Sequence, residues 1–493
     1  MPAFFVTAVE KLAVQIGFDY PTLSYTLALF LAYPLGLIIS LIPGGQVKHF
    51  ASFLAGAFLL QFTIGVQWIH ILIATLVSWV CLQTLSPKLC KTVLPLLAVG
   101  YCVLGHLHRQ FINYLGWDLD FTGPMMILTI KLYSISWNYY DGYLIKKGNG
   151  ETTNRASMKC KEFSIAKPPN LIEFLGYCFC FSNVLAGPAY EYSIYNSVAS
   201  GSMFIDPVTK KRRTNIPSRV MPVLKPLIVS IICMGLFVVG GGKVPMLDPV
   251  DPQHATPVFL TGVWAVDGGC PWWKRYLYQW VALFFIRNKY YFAWKNAEGA
   301  NNTWFAGFDG FDKDNKPKGW TNANNMDIID FELAPNVKMG SNAWNKKTSN
   351  WLTRYIYMRT GGSLVLTYSM SAFWHGFYPG YYMFFLTVPF YTICARLAEE
   401  RVTPLLGEWG KNRWGLYGWL CIFTHSFLIE YFIQPFQLLA FSWAWAQWKS
   451  HMFIGHLLMV PFYIIVSTFF PKPNRKPRPN AVAAKPAEAK KAD

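Results

Sequence analysis

Trp374-His375-Gly376 ends an apolar run that begins at Ser363, and thirty residues upstream a polar amide, Asn345, stands within Trp344-Asn345-Lys346-Lys347-Thr348. A histidine set in sequence apolar enough for a bilayer is costly unless it is paired or used. Neutral imidazole accepts a proton near working pH, its unperturbed pKa being about 6.5. The glycine that follows lets backbone or ligand approach closely. Asparagine cannot titrate and is suited to hydrogen-bond a hydroxyl or a developing oxyanion. The two residues together point to histidine base chemistry with an amide partner.

Other chemistries lack their residues. There is no G-x-S-x-G elbow and no H-E-x-x-H, and the run Gly240 to Lys243 lacks the first glycine of a P-loop. Ten cysteines occur singly or as Cys178-Phe179-Cys180, without C-x-x-C spacing, so they read as small core residues rather than a metal or disulfide framework. His49, His70, His254, His451 and His456 fall near segment ends or in connectors, where an interfacial role is expected. His106 and His108, beside Arg109, read as a positive interfacial cluster.

The elements that carry these residues belong in a membrane. Apolar residues make up 53% of the chain and charged ones only 14%, a balance that excludes an ordinary soluble enzyme. Apolar stretches run near 23–43, 50–66, 67–85, 89–105, 121–137, 171–188, 220–240, 276–294, 363–374, 376–397, 416–434 and 452–470, the shorter ones reading as re-entrant. The fold class expected is an all-α polytopic membrane protein with one integral domain over 1–470. Residues 471–493, rich in Lys, Pro and Ala, read as a disordered basic cytosolic tail. The Met-Pro-Ala-Phe-Phe start lacks the pattern of a cleaved secretory signal, so the first span would act as an uncleaved insertion signal. No internal repeat is evident, which weighs against a transporter built from duplicated halves.

The net charge of +18 gathers in connectors, with Lys146, Lys147, Arg155, Lys159, Lys161 and Lys167 in one and Lys210 to Arg213 in another. The positive-inside rule puts both on the cytosolic face, where they meet anionic lipid rather than nucleic acid. They nevertheless flank a single apolar run at 171–190. Either that run dips in and returns, or one basic loop defies the rule. Lys295 to Asn350 is a long non-apolar stretch whose aromatic content (Trp304, Phe305, Phe308, Phe311, Trp320, Trp344) predicts an ordered, functional loop.

Several segments in order resemble the membrane-bound O-acyltransferase family. Trp374-His375-Gly376 is preceded by Trp344-Asn345-x-x-Thr348-x-x-Trp351-Leu352 and Tyr355-Ile356-Tyr357-x-Arg359. Ser136-Trp137-Asn138-Tyr139-Tyr140-Asp141-Gly142, Gly187-Pro188-Ala189-Tyr190-Glu191-Tyr192, Arg287-x-Lys289-Tyr290-Tyr291-x-x-Trp294-x-x-x-Glu298-Gly299-Ala300 and Gln434-Pro435-Phe436 are similar to the lysophospholipid acyltransferase branch, fungal broad-specificity members above all. The similarity covers about 120 to 440. It implies a bundle of about eleven transmembrane helices with re-entrant segments around an internal catalytic chamber.

The same resemblance implies a multi-pass endoplasmic-reticulum enzyme that moves a fatty acyl group from acyl-CoA to the free sn-2 hydroxyl of a lysophospholipid. The family histidine falls on His375 and the family asparagine on Asn345. Arg287, Lys289, Tyr290, Lys346, Lys347, Arg354 and Arg359 flank this centre as candidate substrate contacts, while Trp344, Trp351 and Trp374 would shape the acyl pocket. Such chemistry requires no metal or redox cofactor; acyl-CoA, lysophospholipid and the bilayer are the expected partners. His425 with Glu430 has the His-x4-acid spacing of soluble-type glycerolipid acyltransferases, but with Glu for Asp and inside an apolar span. A sterol, diacylglycerol or protein acceptor stays open, as does a lipid transporter or scramblase.

Overall fold

The computed structural model describes residues 3–116, 118–247, 257–260 and 269–470, so the expected tail at 471–493 lies outside the described residues. Fifteen α-helices of eight residues or more are found among them. They are α1 (Ala3–Ile16), α2 (Tyr20–Leu41), α3 (Gln46–Ile64), α4 (Trp68–Thr84), α5 (Pro87–Ile112), α6 (Thr122–Lys147), α7 (Leu171–Cys178) and α8 (Tyr192–Ala199). There follow α9 (Val220–Gly235), α10 (Trp272–Thr303), α11 (Leu364–His375), α12 (Pro379–Leu397), α13 (Leu416–Leu438), α14 (Phe441–Ser450) and α15 (Ile454–Phe469).

Among the described residues, five helical runs are long and apolar enough to cross a bilayer: Tyr20–Leu41, Gln46–Thr84, Pro87–Ile112, Val220–Lys243 and Leu416–Leu438. The pair α14 and α15, bent by 71° at their junction, makes a sixth if taken as one span. The chain is thus an all-helical membrane protein, with fewer helices of crossing length and hydropathy than the eleven expected. Polarity is one reason. The apolar stretch 276–294 sits inside α10, which carries Arg275, Arg287, Lys289 and Lys295. Gln46–Thr84, at 39 residues, corresponds to about 58 Å of helix, nearly twice a hydrocarbon core. Gly65, at φ 59°, breaks it into α3 and α4, the spans expected over 50–66 and 67–85.

The run at 171–188 is not one continuous helix. Asn170 caps α7 and forms a capping box with Glu173, but the helix lasts only eight residues, about 12 Å. The chain then turns through 179–190 without helix. A helix of this length is under half of a hydrocarbon core and too short to cross it alone. Its terminal carbonyls are taken by Lys131 of α6, whose Nζ donates to Tyr177 O at 2.9 Å, Cys178 O at 3.1 Å and Asn183 Oδ1 at 2.7 Å. The negative end of the helix dipole and three acceptors make this buried ammonium tolerable.

Apolar packing among the described residues falls into two larger groups and two small ones, one of the small ones formed by Met246, Phe259, Ala282, Leu283 and Leu438. Of the larger groups, the first joins α2 to α7, and the second joins α12, α13 and α15 with Tyr276 and Trp448. Ile130, Ala189, Trp351, Tyr355 and Trp374 form the other small cluster. Residues 295–350 are ordered as their aromatic content predicts. α10 continues to Thr303, Phe305 and Phe308 pack on Trp320 at 5.5 and 5.2 Å, and short helices follow at Ile328–Glu332, Val337–Ala343 and Lys346–Trp351.

Candidate active site

α11 begins at Ser363, whose side chain accepts from Leu366 N, and ends on His375. Gly376 stops it, with φ 125° and ψ −161°, a conformation open to glycine alone. His375 Nδ1 lies 2.8 Å from Ser371 O. A carbonyl can only accept, so Nδ1 carries the proton and Nε2 keeps its lone pair. The ring is walled by Trp374 at 4.7 Å, Phe385 at 5.0 Å, Phe436 at 5.1 Å and Tyr381 at 5.7 Å between centroids. Phe436 is brought there by a close crossing of α12 and α13: Gly380 N donates to Leu439 O at 2.8 Å, and a Cβ on Gly380 would stand 2.0 Å from Pro435 O. The result is a neutral base in an apolar, aromatic wall.

Asn345 precedes the short helix Lys346–Trp351 with φ 44° and ψ 50°, the left-handed region that asparagine tolerates better than most residues. The orientation of its amide follows from its neighbours. Lys347 N–H donates to Asn325 Oδ1 at 2.9 Å, so the other end of Asn325 is its NH2 group. Asn325 Nδ2 then donates to Asn345 Oδ1 at 3.0 Å. Asn345 Nδ2 is left as a donor without an assigned protein acceptor among the described residues. Asp327 straps the same segment, accepting from Lys346 Nζ at 2.6 Å and donating its N–H to Ala343 O at 3.0 Å.

Between the two residues stands Tyr290. Its ring meets Trp344 at 5.7 Å, next to Asn345, and its hydroxyl accepts from Gln437 at 3.5 Å, next to Phe436. Trp344 also packs on Phe331 at 4.8 Å and Trp294 at 5.1 Å. Trp351 and Trp374 are buried, 6.1 Å apart, and Trp374 Nε1 donates to Met126 O. Trp344 thus packs in the aromatic group next to Asn345, and Trp374 and Trp351 pack on the His375 side.

Most of the expected cationic contacts have carboxylate partners. Arg287 is fully engaged, with a bidentate pair to Glu332 at 3.0 and 3.1 Å and a further bond to Glu430. Arg359 pairs with buried Asp141 at 2.7 and 3.1 Å and lies over Trp137 at 4.1 Å. Arg354 bonds Glu191 at 3.0 Å, and Tyr355 and Asn138 complete that network at 3.0 and 2.8 Å from the same carboxylate. The Lys289 ammonium sits 5.1 Å from the Tyr290 ring. Lys347 differs: its ammonium donates to Thr321 O at 3.1 Å, and burial, with Arg354 and Lys346 nearby, pulls its pKa down to about 8. Arg287 and Arg359 thus act as cross-links between segments rather than free phosphate ligands.

A polar cavity of about 450 Å³ opens beside this region, lined by Ser134, Glu191, Asp309, Lys347, Trp351 and Arg354 among others. Neither His375 nor Asn345 lines it. Trp351 nevertheless forms part of its wall and meets Trp374 at a tilt of 49°, and Lys347 is two residues from Asn345. The cavity is therefore linked to His375 through two tryptophans in contact, Trp351 and then Trp374.

Sequence reasoning gave His106 an interfacial role; instead it is buried and donates from Nε2 to Trp374 O at 3.0 Å. Glu191, Asn138 and Asp141 had a signal, their place in the motifs at 136–142 and 187–192, whereas nothing marked Asn325 in its loop. His425 and Glu430 have separate partners, Tyr391 at 2.7 Å and Arg287 respectively, so they form no dyad.

A sequence model of the membrane-bound O-acyltransferase family matches residues 108–425. An Arabidopsis thaliana protein named lysophospholipid acyltransferase 1 is 27% identical over 95% of this chain and 99% of its own length. The Schizosaccharomyces pombe lysophospholipid acyltransferase is 26% identical over 92% of this chain and 87% of its own. Human membrane-bound glycerophospholipid O-acyltransferase 2 is 27% identical over 84% and 77%. The matched region holds His375 and Asn345, and the chain belongs to the membrane-bound O-acyltransferase family.

Proposed function

We propose that this protein transfers a fatty acyl group from acyl-CoA to the free sn-2 hydroxyl of a lysophospholipid, as a multi-pass enzyme of phospholipid remodelling in the endoplasmic reticulum. The observation that carries the chemistry is the His375 tautomer: Nδ1–H is fixed on Ser371 O, so Nε2 is the basic nitrogen. The names and coverage of the similar proteins support the acceptor class. About eleven membrane-embedded segments around an internal chamber, some of them re-entrant like α7, accommodate two amphiphilic substrates.

In this reading Nε2 of His375 takes the proton of the acceptor hydroxyl, and the oxygen attacks the thioester carbonyl carbon. The tetrahedral oxyanion accepts a hydrogen bond from Asn345 Nδ2. Its collapse forms the ester and breaks the carbon–sulfur bond, and the departing thiolate takes the proton from Nε2. A positioned base contributes about 10²–10⁴-fold and one oxyanion donor about 3 kcal/mol. Trp344, Trp351, Trp374, Phe385 and Phe436 exclude water from the thioester. The phosphate-bearing end of the donor lies in the polar cavity, where Lys347 and the outer N–H groups of Arg354 meet it.

Purified protein given a panel of lysophospholipids with acyl-CoA, its products read by mass spectrometry, is expected to yield diacyl phospholipid and free CoA. Acyl transfer only to a sterol, diacylglycerol or protein would overturn the acceptor class. Lipid movement without CoA release would overturn the enzyme reading.

Lys347 gives a second expected result, in pH. Its ammonium is charged below about 8 and loses its proton as the pH rises through that value. The KM for acyl-CoA should therefore climb about threefold or more between about pH 7 and pH 9, with the lysolipid KM changing less. Lys347→Arg, which stays charged, should flatten that rise. A donor KM with the same pH dependence in both proteins would remove Lys347 from the donor site.

A further inference from the structure

We infer that His106 is a positioning residue for His375, acting through the Trp374 carbonyl; the inference rests on the reading of His375 as the base. The last carbonyls of a helix have no partner within it. At the end of α11, Gly376 N closes on Ala372 O at 3.1 Å, and His375 Nδ1 takes up Ser371 O. Trp374 O would need the N–H of residue 378, but the chain has left the helix at Gly376. Nε2 of His106, on α5, fills that position at 3.0 Å, and because the carbonyl only accepts, Nε2 must be the protonated nitrogen.

The ring is held on its other side by Gly376. A Cβ there would stand 3.0 Å from His106 Nδ1 and 3.2 Å from its Cγ, so the third residue of Trp-His-Gly is small for this contact as well as for its φ. Phe377 meets the same ring edge to face at 6.4 Å. On α6, Met126 O accepts from the Trp374 indole at 3.0 Å. The carbonyl of the peptide between Trp374 and His375 is thus held from α5, and the Trp374 side chain from α6, at a point where α11 itself supplies no hydrogen bond to that carbonyl. That peptide sets the direction of the His375 Cα–Cβ bond and hence where Nε2 points. Small displacements matter at a reacting centre, where about 1 Å can cost on the order of 10²-fold.

The test compares His106→Phe and His106→Met, which lack the donor, with His106→Gln, whose Nε2 can reach the same carbonyl. Full-length protein reconstituted in bilayers is assayed for kcat and for both KM values. Phe and Met should lower kcat about tenfold or more with each KM within about threefold, while Gln stays within about threefold of the parent. The role is overturned if Phe or Met keeps full kcat, if Gln falls as far as they do, or if the loss lies in KM or in folded protein alone. His375→Ala runs alongside. If it keeps full turnover, the base reading itself fails; if it is inactive while His106→Phe and His106→Met are normal, only the positioning role fails.

Discussion

His375→Ala is expected to lower the turnover of acyl transfer by about 10²–10⁴-fold while the protein still accumulates in membranes. Two features of the site make the loss chemical rather than structural. The ring uses Nδ1 on a carbonyl of its own helix, Ser371 O, so its removal orphans no group from another element. Its neighbours Phe385, Phe436 and Tyr381 form a wall of ring contacts, with Tyr381 to Phe436 at 4.8 Å, Phe385 to Phe436 at 5.9 Å and Phe384 to Phe436 at 5.7 Å, while Trp374 leans on Trp351. Such a wall persists when one member is truncated, at the usual cost of a partial cavity. The measurement is acyl transfer from labelled acyl-CoA to a lysophospholipid, normalised to folded protein. Retained full activity would end the assignment of His375 as base. His375→Gln sharpens the result, because a glutamine restores polarity and size but cannot take up the proton.

His375 was legible in the sequence because a lone polar residue before glycine has few structural reasons to end an apolar run. Asn345 was legible through the order of motifs around it, although the direction of its amide needed Asn325, a residue with no sequence signal. The arginines show where reading by composition stops. Arg287, Arg354 and Arg359 flank the centre in sequence as phosphate ligands would, but their partners Glu332, Glu430, Glu191 and Asp141 come from segments up to 218 residues away. Ion pairing is set by tertiary packing, which periodicity does not encode. The fold behaved similarly. The spans α2 to α5 were evident from hydropathy, whereas the apolar run that holds α7 is helical for only eight residues, and Lys131, about two and a half turns into α6, takes the last carbonyls. His106 was misplaced for the same reason: its partner, the Trp374 carbonyl, is 268 residues away.

Asn345 yields the second large effect, and two substitutions separate its possible roles. Asn345→Asp keeps size and can still accept from Asn325 Nδ2, but it replaces the free donor with an anionic acceptor beside a developing oxyanion. Turnover should fall by about 10²–10³-fold or more, the cost of one lost oxyanion donor with charge repulsion added. Asn345→Gly removes the amide altogether yet suits the backbone, since φ 44° and ψ 50° lie where glycine is unstrained. It should also lose about 10²-fold or more in kcat, with a KM for each substrate close to that of the parent. Alanine is the poorer probe, because strain of about 1–2 kcal/mol in the left-handed region adds a folding cost to the chemical one. If Asn345 served only to turn the chain into the helix Lys346–Trp351, glycine would preserve turnover and aspartate would nearly do so. Normal kcat in Asn345→Gly would therefore sink the donor role. Loss in both variants, with folded protein intact, would place the free Nδ2 at the reacting carbonyl.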